Sequence, residues 1–313
     1  MDSQLDHVRR VQPGLLRLPG TPRLAGPRHR GRTRPCRRRP LQRHVVPAAR
    51  EGAVPECLTL CRNRVDLWLA QTSRVRALGL LDRCGLLLSA EELAREARFR
   101  FQEDRDSFRV TRALLRCVLS RYAAKAETSW RFESDANGRP RLADADAFSG
   151  ELDFSISHTR DFTLVAIGLG RRVGVDIERA DRQVRESVRW ACLDADERTA
   201  CALLHEDTQP RRFIETWTLK ESYLKALGCG LSRPMDSFGF RFIDDAGIAL
   251  CDPCADATSA ATWAFSMFDL PQAHVGSVCI EDGSAVDLVL HRMEPLATDV
   301  EMALQIIRGS ATQ

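Results

Sequence analysis

The segment Phe213-Ile-Glu-Thr-Trp-Thr-Leu-Lys-Glu-Ser-Tyr-Leu-Lys225 puts a carboxylate inside an apolar stripe, and this narrows what the rest of the chain can build. Read as a helix, it lines up Phe213, Ile214, Trp217, Leu224 and Leu227 on one face, with Glu221 among them and Lys225 one turn on at the edge. A carboxylate packed against a core is costly unless a cation or strong donors meet it. Two readings stand: Glu221 pairs with Lys225 at i, i+4 on a solvated face, or it belongs to a buried charged site. Of the 46 basic residues only Lys125, Lys220 and Lys225 are lysine, so an arginine-using chain keeps compact ammonium groups in this segment.

A second pair of acids lies in Arg172-Val-Gly-Val-Asp-Ile-Glu178, which alternates as a strand does. Val173, Val175 and Ile177 point one way; Gly174, Asp176 and Glu178 point the other. Asp176 and Glu178 then stand about 7 Å apart on one face, with open space expected beside Gly174. Either that face is solvated or a divalent cation lies between the acids, and oxygen-only ligands favour magnesium or manganese. In Leu152-Asp-Phe-Ser-Ile-Ser-His-Thr159 the same alternation sends Ser157 and His158 to opposite faces, so they cannot act as nucleophile and base. No Gly-x-Ser-x-Gly elbow occurs, which sets a serine hydrolase aside. The imidazole and hydroxyl remain possible donors to a phosphate, against the plainer reading of His158 as a surface imidazole.

Taken in order, Gly138-Arg-Pro140, Phe154-Ser-Ile-Ser-His-Thr159, Gly174-Val-Asp-Ile-Glu178, Trp217-Thr-Leu-Lys-Glu-Ser-Tyr-Leu-Lys225, Gly228-Cys-Gly-Leu231 and Asp236-Ser-Phe238 resemble the 4′-phosphopantetheinyl transferase superfamily, in its long Sfp-type branch. The resemblance runs from about Val65 to about residue 290. It implies an α/β (α+β) fold of two similar α/β halves, a pseudo-dimer with the active site in the cleft between them. It implies an enzyme that moves the phosphopantetheine arm of coenzyme A, its co-substrate, onto a serine of an apo acyl or peptidyl carrier protein, with Mg2+ as cofactor. By position, Asp176, Glu178 and Glu221 would hold the metal, and Glu221 would help deprotonate the carrier serine. Lys225 would neutralise the pyrophosphate, and Ser157 and His158 would contact phosphates. Arg139 stands where the family often has lysine, and is placed with the coenzyme A contacts. Upstream, Glu91–Arg98 and Asp104–Leu119 read as helices, the second with Phe108, Leu115, Val118 and Leu119 on its apolar face. Arg95, Arg98 and Arg112 are the candidates for the 3′-phosphate and adenine side, against the plainer reading of solvated arginines.

Composition sets the remaining expectations. Residues 1–64 hold 15 arginines, four acids and 8 of the 14 prolines, a net +11 that leaves −8 on residues 65–313. Such an arm is expected to be a disordered extension. A nucleic-acid-binding role for it is the alternative, disfavoured because it lacks aromatic residues for base stacking. A second alternative is a catalytically inactive carrier-binding module of the same fold, which the intact acids and Lys225 disfavour. The halves are placed at 65–167 and 168–295, with a tail at 296–313 and a seam near 166–172. Gly168–Gly174 has the wrong spacing for a dinucleotide fingerprint and is read as a hairpin turn. The 11 cysteines are scattered and read as packing thiols, Cys251-Asp-Pro-Cys254 included. No apolar run is long enough to span a bilayer, so a cytoplasmic monomer with no membrane partner and no nucleic acid is expected.

Overall fold

The computed structural model describes residues 57–143, 148, 150–254, 263–281 and 286–310. Almost all of the arginine-rich arm, residues 1–56, lies outside the described residues. In chain order the elements begin with β1 (Arg64–Gln71), α1 (Thr72–Ala77), α2 (Leu81–Gly85), α3 (Ala90–Glu96) and α4 (Gln102–Ser120). They continue with β2 (Phe132–Ser134), β3 (Pro140–Leu142), β4 (Leu152–His158), β5 (Phe162–Leu169) and β6 (Val173–Arg179). Then come α5 (Glu186–Cys192), α6 (Ala195–Ala202), α7 (Gln209–Leu227), β7 (Gly239–Ile243), β8 (Gly247–Cys251) and β9 (Trp263–Leu270). The last are β10 (His274–Glu281), β11 (Asp287–Glu294), β12 (Thr298–Met302) and β13 (Gln305–Ser310).

The fold is mixed α/β, with two sheet-containing halves. The first sheet has the order β12-β11-β1-β5-β4 and the second β6-β10-β9-β13-β8-β7, while β2 and β3 form a separate ribbon. The sheets pack through apolar faces supplied by alternation. Val65, Leu67, Leu69, Leu164 and Ala166 of the first meet Val173, Val175, Ile177, Val278 and Ile280 of the second. The opposite face of the second sheet takes α7, whose Phe213, Ile214, Leu219 and Leu224 pack on Phe265, Met267, Val275 and Cys279. In α4, burial takes in the expected Phe108, Leu115, Val118 and Leu119 and extends to Val110, Ala113 and Leu114.

Three local expectations change. The Gly168–Gly174 stretch is not a hairpin turn, because β5 pairs with β1 and β4 while β6 pairs with β10. It carries the chain from one sheet to the other. Nor is the space beside Gly174 open: a Cβ there would lie 1.9 Å from Ser222 O and 2.5 Å from Ala226 N, so α7 rests directly on the strand. Third, the span expected as a tail contributes β12 to the first sheet and β13 to the second, and β11 itself returns to the first sheet alongside β1.

The helix is also buried on more of its circumference than the stripe implied. Thr218, Lys220, Ser222 and Tyr223 are all buried as well. Lys220 is 1% exposed, with its ammonium 2.6 Å from Glu197 Oε2 and donating to the carbonyls of Cys192, Met235 and Phe238. Four oxygens around one nitrogen suit an ammonium and not the planar guanidinium fork, which accounts for lysine here. Glu197 is shared, since it also closes the capping box of α6 with Asp194. At the other end of α7, Gly228 takes the left-handed cap conformation at φ 71°.

Because the Gly174 contact is with backbone that cannot swing aside, Gly174→Ala should lower stability by at least about 2 kcal/mol. Chemical denaturation of the variant against wild type measures this; an unchanged midpoint would contradict the close approach of α7 to β6.

Candidate active site

The second sheet ends at β6, so this edge strand would present unpaired amide groups. Side chains from the facing edge strand, β4, meet them. Asp153 accepts from Val173 N at 2.9 Å and Ser155 Oγ accepts from Val175 N at 3.0 Å. Ser157, next in the same row, donates its hydroxyl to Asp176 Oδ1 at 2.6 Å. The alternation read in sequence for β4 is therefore what builds the row: Ser155 and Ser157 turn to the seam while Phe154 and Ile156 are buried on the other face.

Arg139 closes the seam. Its Nη2 donates to Asp153 Oδ1 at 2.9 Å, to Asp153 Oδ2 at 2.7 Å, and to the carbonyls of Phe154 and Val173 at 3.1 Å. Its Nη1 reaches Ala226 O at 3.4 Å, on α7. The guanidinium that the sequence places with the coenzyme A contacts thus joins β4, β6 and α7. Ser157, by its bond to Asp176, joins the same seam.

Lys225 resolves the two readings of the helix pair. Its Nζ lies 2.7 Å from Asp176 Oδ1 and 3.1 Å from Val175 O, so its carboxylate partner is on β6 and not Glu221 one turn before it. Glu221 is 6% exposed, which rules out a solvated face. Asp176 is 4% exposed, and its Oδ2 is buried with no hydrogen-bond partner. Glu178, on the same face of β6, is ion-paired with Arg182, a residue to which the sequence reading gave no role.

Electrostatics follow from this burial. The pKa of Glu221 is raised, first by loss of water and then by the Asp176 charge, with Lys225 opposing. That of Glu178 is raised by the same desolvation and by Asp176 and Glu221, with Arg182 and Lys225 opposing. Glu178 and Glu221 thus share one low-dielectric region with the Asp176 charge, and too little positive charge offsets it to keep their two pKa values at the ordinary level. Among the described residues no three carboxylate, imidazole or thiol groups stand close enough to grip a cation as placed. The donor set nevertheless fits a hard divalent ion, since it is all oxygen, mutually repelling and includes an orphaned carboxylate oxygen.

The other predicted residues lie elsewhere on the first half. Arg112 Nε is 3.6 Å from Glu92 Oε1 on α3, and its guanidinium stands 5.1 Å over the Phe108 ring. Arg95 stands 5.8 Å from the same ring, and Arg98 is exposed just beyond α3. His158 is half-buried at the end of β4. Asp153, Arg182 and Lys220 carry much of the local organisation and were not singled out for these roles; the readable signal for Asp153 was three polar side chains in a row with Ser155 and Ser157.

Two raised carboxylates make a signed prediction. A folded-state pKa above the unfolded value gives stability that is complete below the unfolded value, about 4.3 for glutamate, and is lost as pH rises through the folded one. Without divalent ions Glu221→Gln should therefore melt above wild type, by a margin that widens from pH 5 towards pH 8. Melting curves across pH check it; a constant margin would show that Glu221 is not raised.

Comparison with known proteins places these features. Residues 172–279 match the profile described as 4′-phosphopantetheinyl transferase superfamily, and residues 81–168 that described as 4′-phosphopantetheinyl transferase, N-terminal. The 4′-phosphopantetheinyl transferase HetI of Nostoc sp. is 33% identical over 181 residues, covering 57% of this chain and 75% of that protein. The 4′-phosphopantetheinyl transferase Sfp of Bacillus subtilis is 27% identical, over 52% of this chain and 70% of its own length. The structure of Thermotoga maritima holo-[acyl-carrier-protein] synthase aligns at 22% identity and a TM-score of 0.29, over 36% of this chain and 64% of that one, less than two thirds of its length. Among the described residues no helix is long and apolar enough to cross a membrane.

Proposed function

Because the chain belongs to the 4′-phosphopantetheinyl transferase superfamily, we propose that it transfers the 4′-phosphopantetheine arm of coenzyme A to a serine of an apo acyl or peptidyl carrier protein. The serine oxygen forms a bond to the phosphorus that bears the pantetheine, the bridging P–O bond breaks, and adenosine 3′,5′-bisphosphate leaves with the electron pair. The serine proton passes to a base. The observation that carries this reading is the buried group around Asp176: an orphaned Oδ2, Lys225 on Oδ1, and Glu178 and Glu221 with raised pKa values.

Asp176, Glu178 and Glu221 are the residues that would hold Mg2+, which supplies positive charge against a pyrophosphate. The chain's own groups do the rest. Lys225 already lies at the acid cluster and can exchange Asp176 for an incoming phosphate oxygen. Glu221 has an affinity for protons pushed towards neutral by burial, which suits a general base at physiological pH. His158, at the end of β4, supplies a donor to a coenzyme A phosphate. Transfer of this kind depends on positioning and charge neutralisation more than on a covalent intermediate.

The test is incubation with coenzyme A, Mg2+ and a panel of apo carrier proteins, read by intact mass. At least one carrier should gain the phosphopantetheine mass. Glu221→Gln should cut that rate by at least about a hundredfold, the scale for losing one acid-base or charge-stabilising group. Coenzyme A binding without transfer to any carrier would favour the inactive module, and near-normal transfer by Glu221→Gln would remove Glu221 from the site.

A further inference from the structure

The turn between β9 and β10, Pro271-Gln272-Ala273, has φ of 57° at Gln272 and 55° at Ala273. Left-handed backbone at two successive non-glycine residues costs about 1–3 kcal/mol each and persists only where the surroundings impose it. Asn-Gly or Gly-Gly would take this geometry at little cost, and Gln-Ala does not. What imposes it is His274, which is 4% exposed and has Nδ1 3.0 Å from both Pro271 O and Gln272 O. Ala180 N adds a bond to Ala273 O at 2.8 Å.

Two carbonyls can only accept, so Nδ1 carries the ring proton. Burial lowers the His274 pKa, and Arg179 acts in the same direction, while the Pro271 and Gln272 carbonyls and Asp161 oppose. Burial thus favours the neutral ring, in which Nε2 is an acceptor. It faces Thr159 Oγ1 at 3.4 Å, a long bond across from the first sheet. Thr159 Oγ1 already accepts from Phe162 N at 3.1 Å, so its own proton is available to the imidazole. The Phe162 ring stands edge-on to His274, with centroids 4.7 Å apart.

Thr159 is the residue after His158. It opens a turn tied on its other side to α4, by Ser107 Oγ donating to Thr159 O at 3.3 Å, and to the start of α1, by Asp161 accepting from Ser73 N at 2.7 Å. The imidazole is the tie to the second half. We propose that His274 is a positioning residue of the transferase, a neutral imidazole that accepts the Thr159 hydroxyl proton and so fixes the turn that aims His158. Strain in the β9–β10 turn is the cost of presenting Nε2 at that height on the seam.

This inference rests on the transferase reading, and the test separates the two. Thr159→Val keeps the side-chain volume and removes both the donor to His274 and the acceptor for Phe162 N; Thr159→Ser keeps both. Thr159→Val should raise KM for coenzyme A by about tenfold as the hydroxyl's ground-state positioning of the turn is lost, with kcat changed less than about twofold, and Thr159→Ser should restore it. An unchanged KM in Thr159→Val, or an equal rise in Thr159→Ser, overturns the positioning role. Imidazole 15N shifts of the wild-type protein near neutral pH give an answer independent of turnover: protonated Nδ1 with an accepting Nε2 is expected, and a proton on Nε2 overturns the clip. If wild type neither binds coenzyme A nor modifies a carrier, the transferase reading falls and takes the positioning role with it, while the 15N result still decides whether the clip exists.

Discussion

Arg139 is the constraint on which the site depends. One guanidinium joins the Asp153 carboxylate of β4, the Val173 carbonyl of β6 and the Ala226 carbonyl of α7. The elements it joins are those that carry Ser157, Asp176, Glu178, Glu221 and Lys225. A buried arginine with a complete set of acceptors holds its neighbours in one arrangement, because any other leaves a charge or a carbonyl unmet in a dry region. Asp153 and Ser155 extend this along the strand by meeting two amides of the edge that β6 would otherwise expose, and Ser157, next in the row, meets the Asp176 carboxylate.

That seam explains why acids accumulate where burial disfavours them. Gly174 lets α7 lie on β6 with no intervening side chain, and so brings Glu221 and Lys225 within reach of Asp176. The close approach excludes water, and exclusion of water raises Glu178 and Glu221. Stability and function pull against each other here: the fold keeps three carboxylates in a place where Lys225 and Arg182 are the cations that offset them among the described residues. The buried pair of Lys220, on the same helix, with Glu197 of α6 is the contrasting case, because the ammonium meets its carboxylate directly and donates to three carbonyls besides.

Much of this was legible in the residues. Period-two alternation gave β4 and β6 and the faces of Asp176 and Ser157, and the helical stripe placed Glu221 among apolar residues while leaving a solvated pair with Lys225 open. What the sequence could not give was which charge meets which. Lys225 was equally placed for Glu221 by spacing along the helix, and only the lie of α7 across β6 sends it to Asp176. Arg139 carries a ligand-contact motif, and its protein partners come from three separate segments of chain that spacing cannot bring together. The Gly168–Gly174 link looked like a hairpin because short connections between strands usually are; here the two sheets pack face to face, and a short link suffices to change sheet. Gly174 was read as room for an ion, when the missing side chain is filled by helix backbone.

The central claim is that the acids gathered at this seam form one divalent-cation site whose protons must leave as the ion enters. Calorimetric titration of Mg2+ or Mn2+ into wild type and Asp176→Asn, in two buffers of different ionisation enthalpy near neutral pH, tests it most directly. The account predicts one ion per chain, proton release on binding because Glu178 and Glu221 are raised, and affinity at least about tenfold weaker in the variant, in line with losing a charged ligand. No binding, or binding with neither proton release nor dependence on Asp176, would contradict it.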